Sequence, residues 1–205
     1  MFDSPLWLAP ALALALGYLF GAIPFGLLLT RAVGAGDLRS IGSGNIGATN
    51  VLRTGRKSLA AATLLLDVGK GFAAVALAPL LGGDPESQMR LAGAAAFIGH
   101  CYPIWLGFRG GKGIATLLGI ALAFSWVYAV VFAVAWLCTV ALLRFSSVGG
   151  LSAAIALPVA AFVRGEVLVA VMFLALALIA FWKHGSNIGR LFRGAEPKIG
   201  QAEGE

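Results

Sequence analysis

Charge is scarce in this 205-residue chain: Asp, Glu, Lys and Arg make up 12% of it, while hydrophobic residues make up 60% and the mean hydropathy is +0.91. That excludes an ordinary water-soluble domain, whose exterior must be largely polar. Cysteine is nearly absent. Cys101 and Cys138 lie in unrelated segments with no Cys-x-x-Cys or Cys/His cluster, which argues against a disulfide framework, a zinc site or an iron–sulfur centre. No metal and no cofactor is expected. Internal repeats and acidic, Pro-rich or Gln-rich tracts are also missing, so solenoids and low-complexity tails are excluded. What remains is an all-α integral membrane protein. At about 20 residues per crossing, residues 1–205 read as a single polytopic domain with no room for a sizeable soluble one.

Seven apolar runs stand out: Leu6 to Leu29, Leu59 to Leu81, Leu91 to Leu106, Ile114 to Phe124, Trp126 to Leu143, Val148 to Phe162 and Val167 to Trp182. The first has no basic residue ahead of it and exceeds a signal-peptide core in length, so it reads as a retained span. Pro10 and Pro24 are expected to kink it. The stretch from Ile114 to Leu143 is uncharged and divides into one long helix or two short ones at Ser125. With two, Arg31, Arg39, Arg53, Arg56, Lys57, Arg109, Lys112, Arg144, Lys183, Arg190, Arg193 and Lys198 share one side, opposite Arg90 and Arg164. The positive-inside rule then sets the N-terminus outside and the C-terminus in the cytoplasm. The net charge of +6 is therefore ascribed to cytoplasmic loops, with no nucleic-acid partner. Gly83 to Gln88 reads as an exposed turn, and Ile199 to Glu205 as a frayed tail.

Three polar segments fall on the cationic side. The first runs from Ser43 through Asn45, Thr49 and Asn50 to Arg53, with glycines at 42, 44 and 47 that bring backbone N–H groups close to an anion. Read blandly, it is a flexible loop with a helix cap at Thr49 or Asn50. The second joins His100 to Gly110, Gly111, Lys112 and Gly113 at the start of a helix, where free N–H groups and the dipole favour phosphate. It is not a Walker A loop, because Leu106 stands six residues before the lysine and Gly113 follows it. Tyr102 and Trp105 read as interfacial anchors. The third carries His184 and Asn187, three apart on one helical face, then Arg190, Arg193 and Glu196. The two arginines suit acidic lipid headgroups, and Glu196 suits a salt bridge. Inside the second span Asp67 and Lys70 read equally as a structural ion pair or a substrate contact. A phosphate-bearing substrate at the cytoplasmic interface fits all three segments; an anion transporter using Asp67 and Lys70 is the rival.

Together, S-G-N-I-G-A-T-N from Ser43, G-H-C-Y-P-I-W from Gly99 leading to G-G-K-G-I-A-T, and H-x-x-N-I ending in E-P-K resemble the bacterial acyl-phosphate:glycerol-3-phosphate acyltransferases, the PlsY family, over nearly the whole chain. The resemblance implies seven transmembrane helices in the bacterial inner membrane. It also implies acyl transfer from acyl phosphate to the 1-hydroxyl of sn-glycerol 3-phosphate, giving lysophosphatidic acid and phosphate in the first step of phospholipid synthesis. A peripheral acyl-phosphate-forming enzyme is implied as partner. By the same resemblance Ser43, His184 and Asn187 are catalytic, and Asn45, Thr49, Asn50, Arg53, His100, Lys112, Gly113 and Glu196 bind substrate. Gly185 departs from relatives, which commonly carry a basic or larger residue after the histidine. The proton acceptor stays open between His184 and a substrate phosphate.

Overall fold

The computed structural model describes residues 6–40 and 44–199. Among these every regular element is helical. The first apolar run becomes two helices, α1 (Leu8–Gly21) and α2 (Phe25–Ala32). The break falls at Pro24, which has no N–H for the ladder and restrains the residue before it. Pro10 does not kink the chain, because it lies in the first turn of α1, where its N–H would have no intrahelical partner. After a 3₁₀ turn (Leu38–Ser40) come α3 (Ala48–Leu52) and α4 (Lys57–Leu77), the latter ending in a 3₁₀ turn over Ala78–Leu81.

The fifth helix, α5 (Pro85–Cys101), starts earlier than the apolar run implied. Pro85 occupies the first helical position and the Asp84 carboxylate accepts the Ser87 N–H at 2.9 Å, a strong start signal that counting hydrophobic residues overlooks. Gly83 to Glu86 are exposed and Gly83 and Asp84 precede the helix, as expected of an exposed turn, but Pro85 to Gln88 are helical and Gln88 is buried. A 3₁₀ turn (Ile104–Leu106) precedes α6 (Ile114–Phe124) and α7 (Trp126–Leu143). These are two helices: Ser125 is extended (φ −166°, ψ 139°) and its hydroxyl accepts the Val127 N–H at 3.3 Å. The chain continues through α8 (Ser146–Val163), α9 (Val167–Lys183) and α10 (Gly185–Phe192), the last two bent by 59° about His184.

Four of the described helical segments are long and apolar enough to cross a membrane alone, namely 8–32, 57–81, 126–143 and 146–163; the bent α9 and α10 make a fifth if they count as one. The 11 residues of α6 extend only about 16 Å at 1.5 Å per residue. Small residues set the packing. Gly17 and Gly21 of α1 lie on the backbone of Ala92 and Ala96 in α5, and Gly119 of α6 lies on that of Val68 in α4, with no space for a Cβ. Close approach of this kind replaces the hydrophobic drive that lipid does not supply. A core of Phe97, Leu117, Ile120, Leu157, Phe173 and Leu176 fills the middle. Leu65, Leu142, Val163 and Trp182 point outward, fully or mostly exposed, as lipid-facing positions should.

Replacing Gly21 with leucine should force α1 from α5 and destabilise the protein by about 1–3 kcal/mol. Thermal denaturation in detergent should show a clear drop for Gly21→Leu and little change for Leu65→Ala on the outer face; equal midpoints would contradict this packing.

Candidate active site

The break between α1 and α2 frees carbonyls that hydrocarbon cannot satisfy, and two distant side chains meet them. Lys70 Nζ donates to Ile23 O at 2.8 Å and Trp105 Nε1 to Ala22 O at 2.7 Å. Lys70 also pairs with Asp67 at 2.6 Å, both side chains being buried. Of the two readings open for this pair, the structure favours the structural one. Trp105 and Tyr102 serve as more than interfacial anchors: the Tyr18 hydroxyl donates to Tyr102 O at 2.9 Å and accepts the Ile104 N–H at 2.9 Å. The loop between α5 and α6 is thereby tied to the first helix. It then passes through Gly107 and Phe108 with positive φ of 58° and 62°, the second an uncommon conformation for a residue with a Cβ. Gly110 and Gly111 donate back to Cys101 O and His100 O at 3.2 and 3.0 Å. Gly113 (φ 82°) packs on the Phe97 ring where a Cβ would collide.

This turn delivers Lys112 to the third segment. Lys112 Nζ donates to Asn187 Oδ1, while Asn187 Nδ2 donates to Glu196 Oε1 at 2.6 Å. The same carboxylate accepts from Ser147 Oγ at 2.6 Å and Arg190 Nε at 2.8 Å. Glu196 is thus held by three elements, α8, α10 and the returning C-terminal segment. Ile199 secures that segment by donating its N–H to Arg144 O at 2.8 Å and accepting from the Arg144 guanidinium at 3.2 Å, so Ile199 is not frayed; residues 200–205 lie outside the described residues. Arg190, expected at lipid headgroups, instead pairs with Glu196, which fulfils the expected salt bridge.

Burial, then repulsion from Arg190, partly offset by Glu196, with smaller effects of Arg53 and Lys183, bring the Lys112 ammonium down to about 8. Burial alone would raise the Glu196 carboxyl, but the bonds from Ser147, Asn187 and Arg190 prevail and hold it below its ordinary value. His184 lies at the bend after α9. Its Nδ1 sits 2.7 Å from Ala180 O, so that nitrogen carries the hydrogen and Nε2 keeps its lone pair. Burial, opposed by that carbonyl, leaves the imidazole at about 4 and hence neutral near pH 7. Arg190 Nη2 is buried without a hydrogen-bond partner. An open cleft of about 600 Å³ is lined in part by Arg39, Arg109, Gly110 and Lys183, and so reaches the turn before Lys112 and the end of α9.

Other positions fall elsewhere. Asn50 is buried within α3 and donates to Leu38 O at 3.0 Å, so neither it nor Thr49 caps a helix. Thr49 shares a 3.2 Å hydrogen bond with Ser146 at the start of α8, which draws the first segment toward the other two. Asn45 is half-buried nearby in the chain. His100 is buried behind the Gly111 turn, its Nδ1 3.8 Å from Asp67. Ser43 lies outside the described residues. Gly185 faces open space, so its departure from relatives is sterically neutral. The serines at 146 and 147 escaped sequence reasoning because only the unmet need of Glu196 for partners hinted at them. Among the described residues no group of three His, Cys, Asp or Glu side chains could hold a metal.

Fold and site together define a multi-pass helical membrane protein with a buried, cation-rich polar centre. The family profile described as "Glycerol-3-phosphate acyltransferase" matches residues 11–194. Glycerol-3-phosphate acyltransferases of Mesorhizobium japonicum and Brucella ovis are 56% and 53% identical over 189 and 188 residues, covering 92% of this chain and 95% and 92% of theirs. The crystal structure of PlsY in its glycerol 3-phosphate form, described as an integral membrane glycerol 3-phosphate acyltransferase, superposes with a TM-score of 0.88 at 35% identity, covering 93% of this chain and 96% of that one. Its lysophosphatidic acid form gives 0.85 at 33% identity, with 93% and 95% covered. The chain belongs to the glycerol-3-phosphate acyltransferase family, as a PlsY-type member.

Glu196→Ala should free Asn187 from its place and cost about a hundredfold in turnover, the scale on which small misplacements act. Glu196→Gln, which keeps one acceptor oxygen, should lose less. Equal rates for Glu196→Ala and the parent would show that the carboxylate does not organise the site.

Proposed function

We propose that this protein transfers a fatty acyl group from acyl phosphate to the 1-hydroxyl of sn-glycerol 3-phosphate, giving lysophosphatidic acid and inorganic phosphate as the first step of phospholipid synthesis. The observation that carries this reading is the Lys112 ammonium, bonded to Asn187 and crowded by Arg190, Arg53 and Lys183. Both substrates bear phosphate, and a dianion relieves that mutual repulsion. The unpartnered Nη2 of Arg190 offers a further donor.

Acyl phosphate is an activated mixed anhydride, so no acyl-enzyme is required. The work of the site is to orient the hydroxyl and to stabilise the charge that develops on the carbonyl oxygen. The hydroxyl oxygen bonds to the acyl carbon, the bond from that carbon to the phosphate oxygen breaks, and inorganic phosphate departs. His184 Nε2 accepts a hydrogen bond from the hydroxyl. An imidazole at about 4 is a weak base, so the leaving phosphate takes the proton. Lys112, Arg53 and the amides near Gly113 hold phosphate. Ser43, Asn45 and Thr49 border the hydroxyl from the first segment, Asn50 shapes that segment, and Asn187, with both amide ends engaged, acts through Lys112.

We read the helices as seven crossings, α1 with α2 forming the first and α4 to α9 the rest, within one domain of the bacterial inner membrane. The cationic end faces the cytoplasm, by the excess of Lys and Arg there. A short α6 is tolerated because the glycine turn before it is buried in protein rather than lipid. A peripheral enzyme that forms acyl phosphate supplies the donor.

The test is product release by purified protein in detergent with palmitoyl phosphate and glycerol 3-phosphate, palmitoyl-CoA being offered as the rival donor. Equal amounts of phosphate and lysophosphatidic acid from palmitoyl phosphate alone are expected. Equal use of palmitoyl-CoA would overturn the donor. Uptake of labelled glycerol 3-phosphate into vesicles without covalent product would favour transport instead.

A further inference from the structure

The polar cluster around Asp67 takes no part in the chemistry above, yet it is buried in the helix bundle. Charged pairs withdrawn from water gain little over well-packed apolar residues, so stability alone does not account for it. Its geometry forms a brace. Lys70 reaches the Ile23 carbonyl at the α1–α2 break at 2.8 Å and Asp67 at 2.6 Å. On the other side of Asp67 stands His100, its Nδ1 3.8 Å away and without a hydrogen bond. The opposite edge of the imidazole lies against Gly111, so closely that a Cβ there would meet Nε2, Cε1 and Cδ2 of the ring. Gly111 donates its N–H to the carbonyl of that same histidine at 3.0 Å, and Lys112 follows directly.

We propose that His100, backed by the Asp67–Lys70 pair, is a positioning residue that sets the Lys112 turn through Gly111 and does not touch substrate. The ring fills the space behind the turn, and the absent side chain of Gly111 lets the backbone descend onto it. Gly113 rests on Phe97 and Trp105 is tied to Ala22, so the turn is fixed at three points, of which His100 bears on the residue just before Lys112 and Phe97 on the residue just after it. Any movement of the ring therefore shifts the backbone from which the ammonium extends. This inference rests on Lys112 binding substrate phosphate.

The experiment is a double-substitution cycle on kcat/KM for glycerol 3-phosphate in purified protein. Gly111→Ala alone is expected to lower kcat/KM about tenfold or more, the scale of a small displacement of a binding group. Once His100→Ala has removed the ring, adding Gly111→Ala should cost less than about twofold, because nothing is left to collide. The same penalty in both backgrounds overturns the proposal. Lys112→Ala is run alongside. If it turns over at the parental rate, the phosphate reading fails; if it is inactive while the other two effects simply multiply, only the positioning role fails. Hydrogen exchange of His100→Gln gives a readout independent of activity. Gly110 and Gly111 amides should exchange faster while those of α6 keep their protection, and unchanged exchange at the turn likewise overturns the proposal.

Discussion

A single carboxylate organises the cationic end of this protein. Glu196 touches α8, α10 and, through Asn187, the turn before α6: it accepts from Ser147, Asn187 and Arg190 at 2.6, 2.6 and 2.8 Å. Without it Asn187 would have no reason to present its oxygen to Lys112, and Arg190 would be free to turn away from the site. The C-terminal segment that carries Glu196 is held in turn by the Ile199 contacts to Arg144. A carboxylate is suited to this place because hydrogen bonds to an ionised acceptor are stronger than neutral ones. It also offsets part of the repulsion among the surrounding cations while leaving the site net positive.

The second constraint comes from the solvent. In hydrocarbon each backbone carbonyl needs a partner, so a helix can break only where a side chain can reach it. Lys70 and Trp105 do so at Ile23 and Ala22, and those reaches fasten α4 and the α5–α6 loop to the first helix. The glycine contacts between α1 and α5, and between α4 and α6, then keep these elements close enough for the cation-bearing turn to have one position. Structure made necessary by lipid thus fixes the position of Lys112.

Much of this was legible from residue order. Apolar runs located most of the helices, and at Ser125, where residue order allows one long helix or two short ones, the placing of Lys and Arg in the loops favours two; the structure shows Ser125 ending one helix and capping the next. The gathering of Lys112, His184 and Asn187 was expected from their chemistry. Other features depend on contacts between distant residues, which periodicity does not encode. Ser147 lies 49 positions from Glu196 and Lys112 75 from Asn187. Nothing in the residues near His100 says that its ring lies between Asp67 and Gly111, since that depends on which side of α5 the α5–α6 loop returns along. The early start of α5 was hidden by its polar first turn, where a cap outweighs hydropathy.

The central claim is that the Lys112 ammonium holds substrate phosphate, and the pH dependence of kcat/KM tests it most directly. A lysine at about 8 is charged below that pH and loses its charge above it, so kcat/KM should fall as pH rises through about 8. In Lys112→Arg the guanidinium stays charged, so that alkaline fall should move well upward even if the maximum rate is lower. An alkaline limb that is the same in both proteins would contradict a phosphate-binding Lys112.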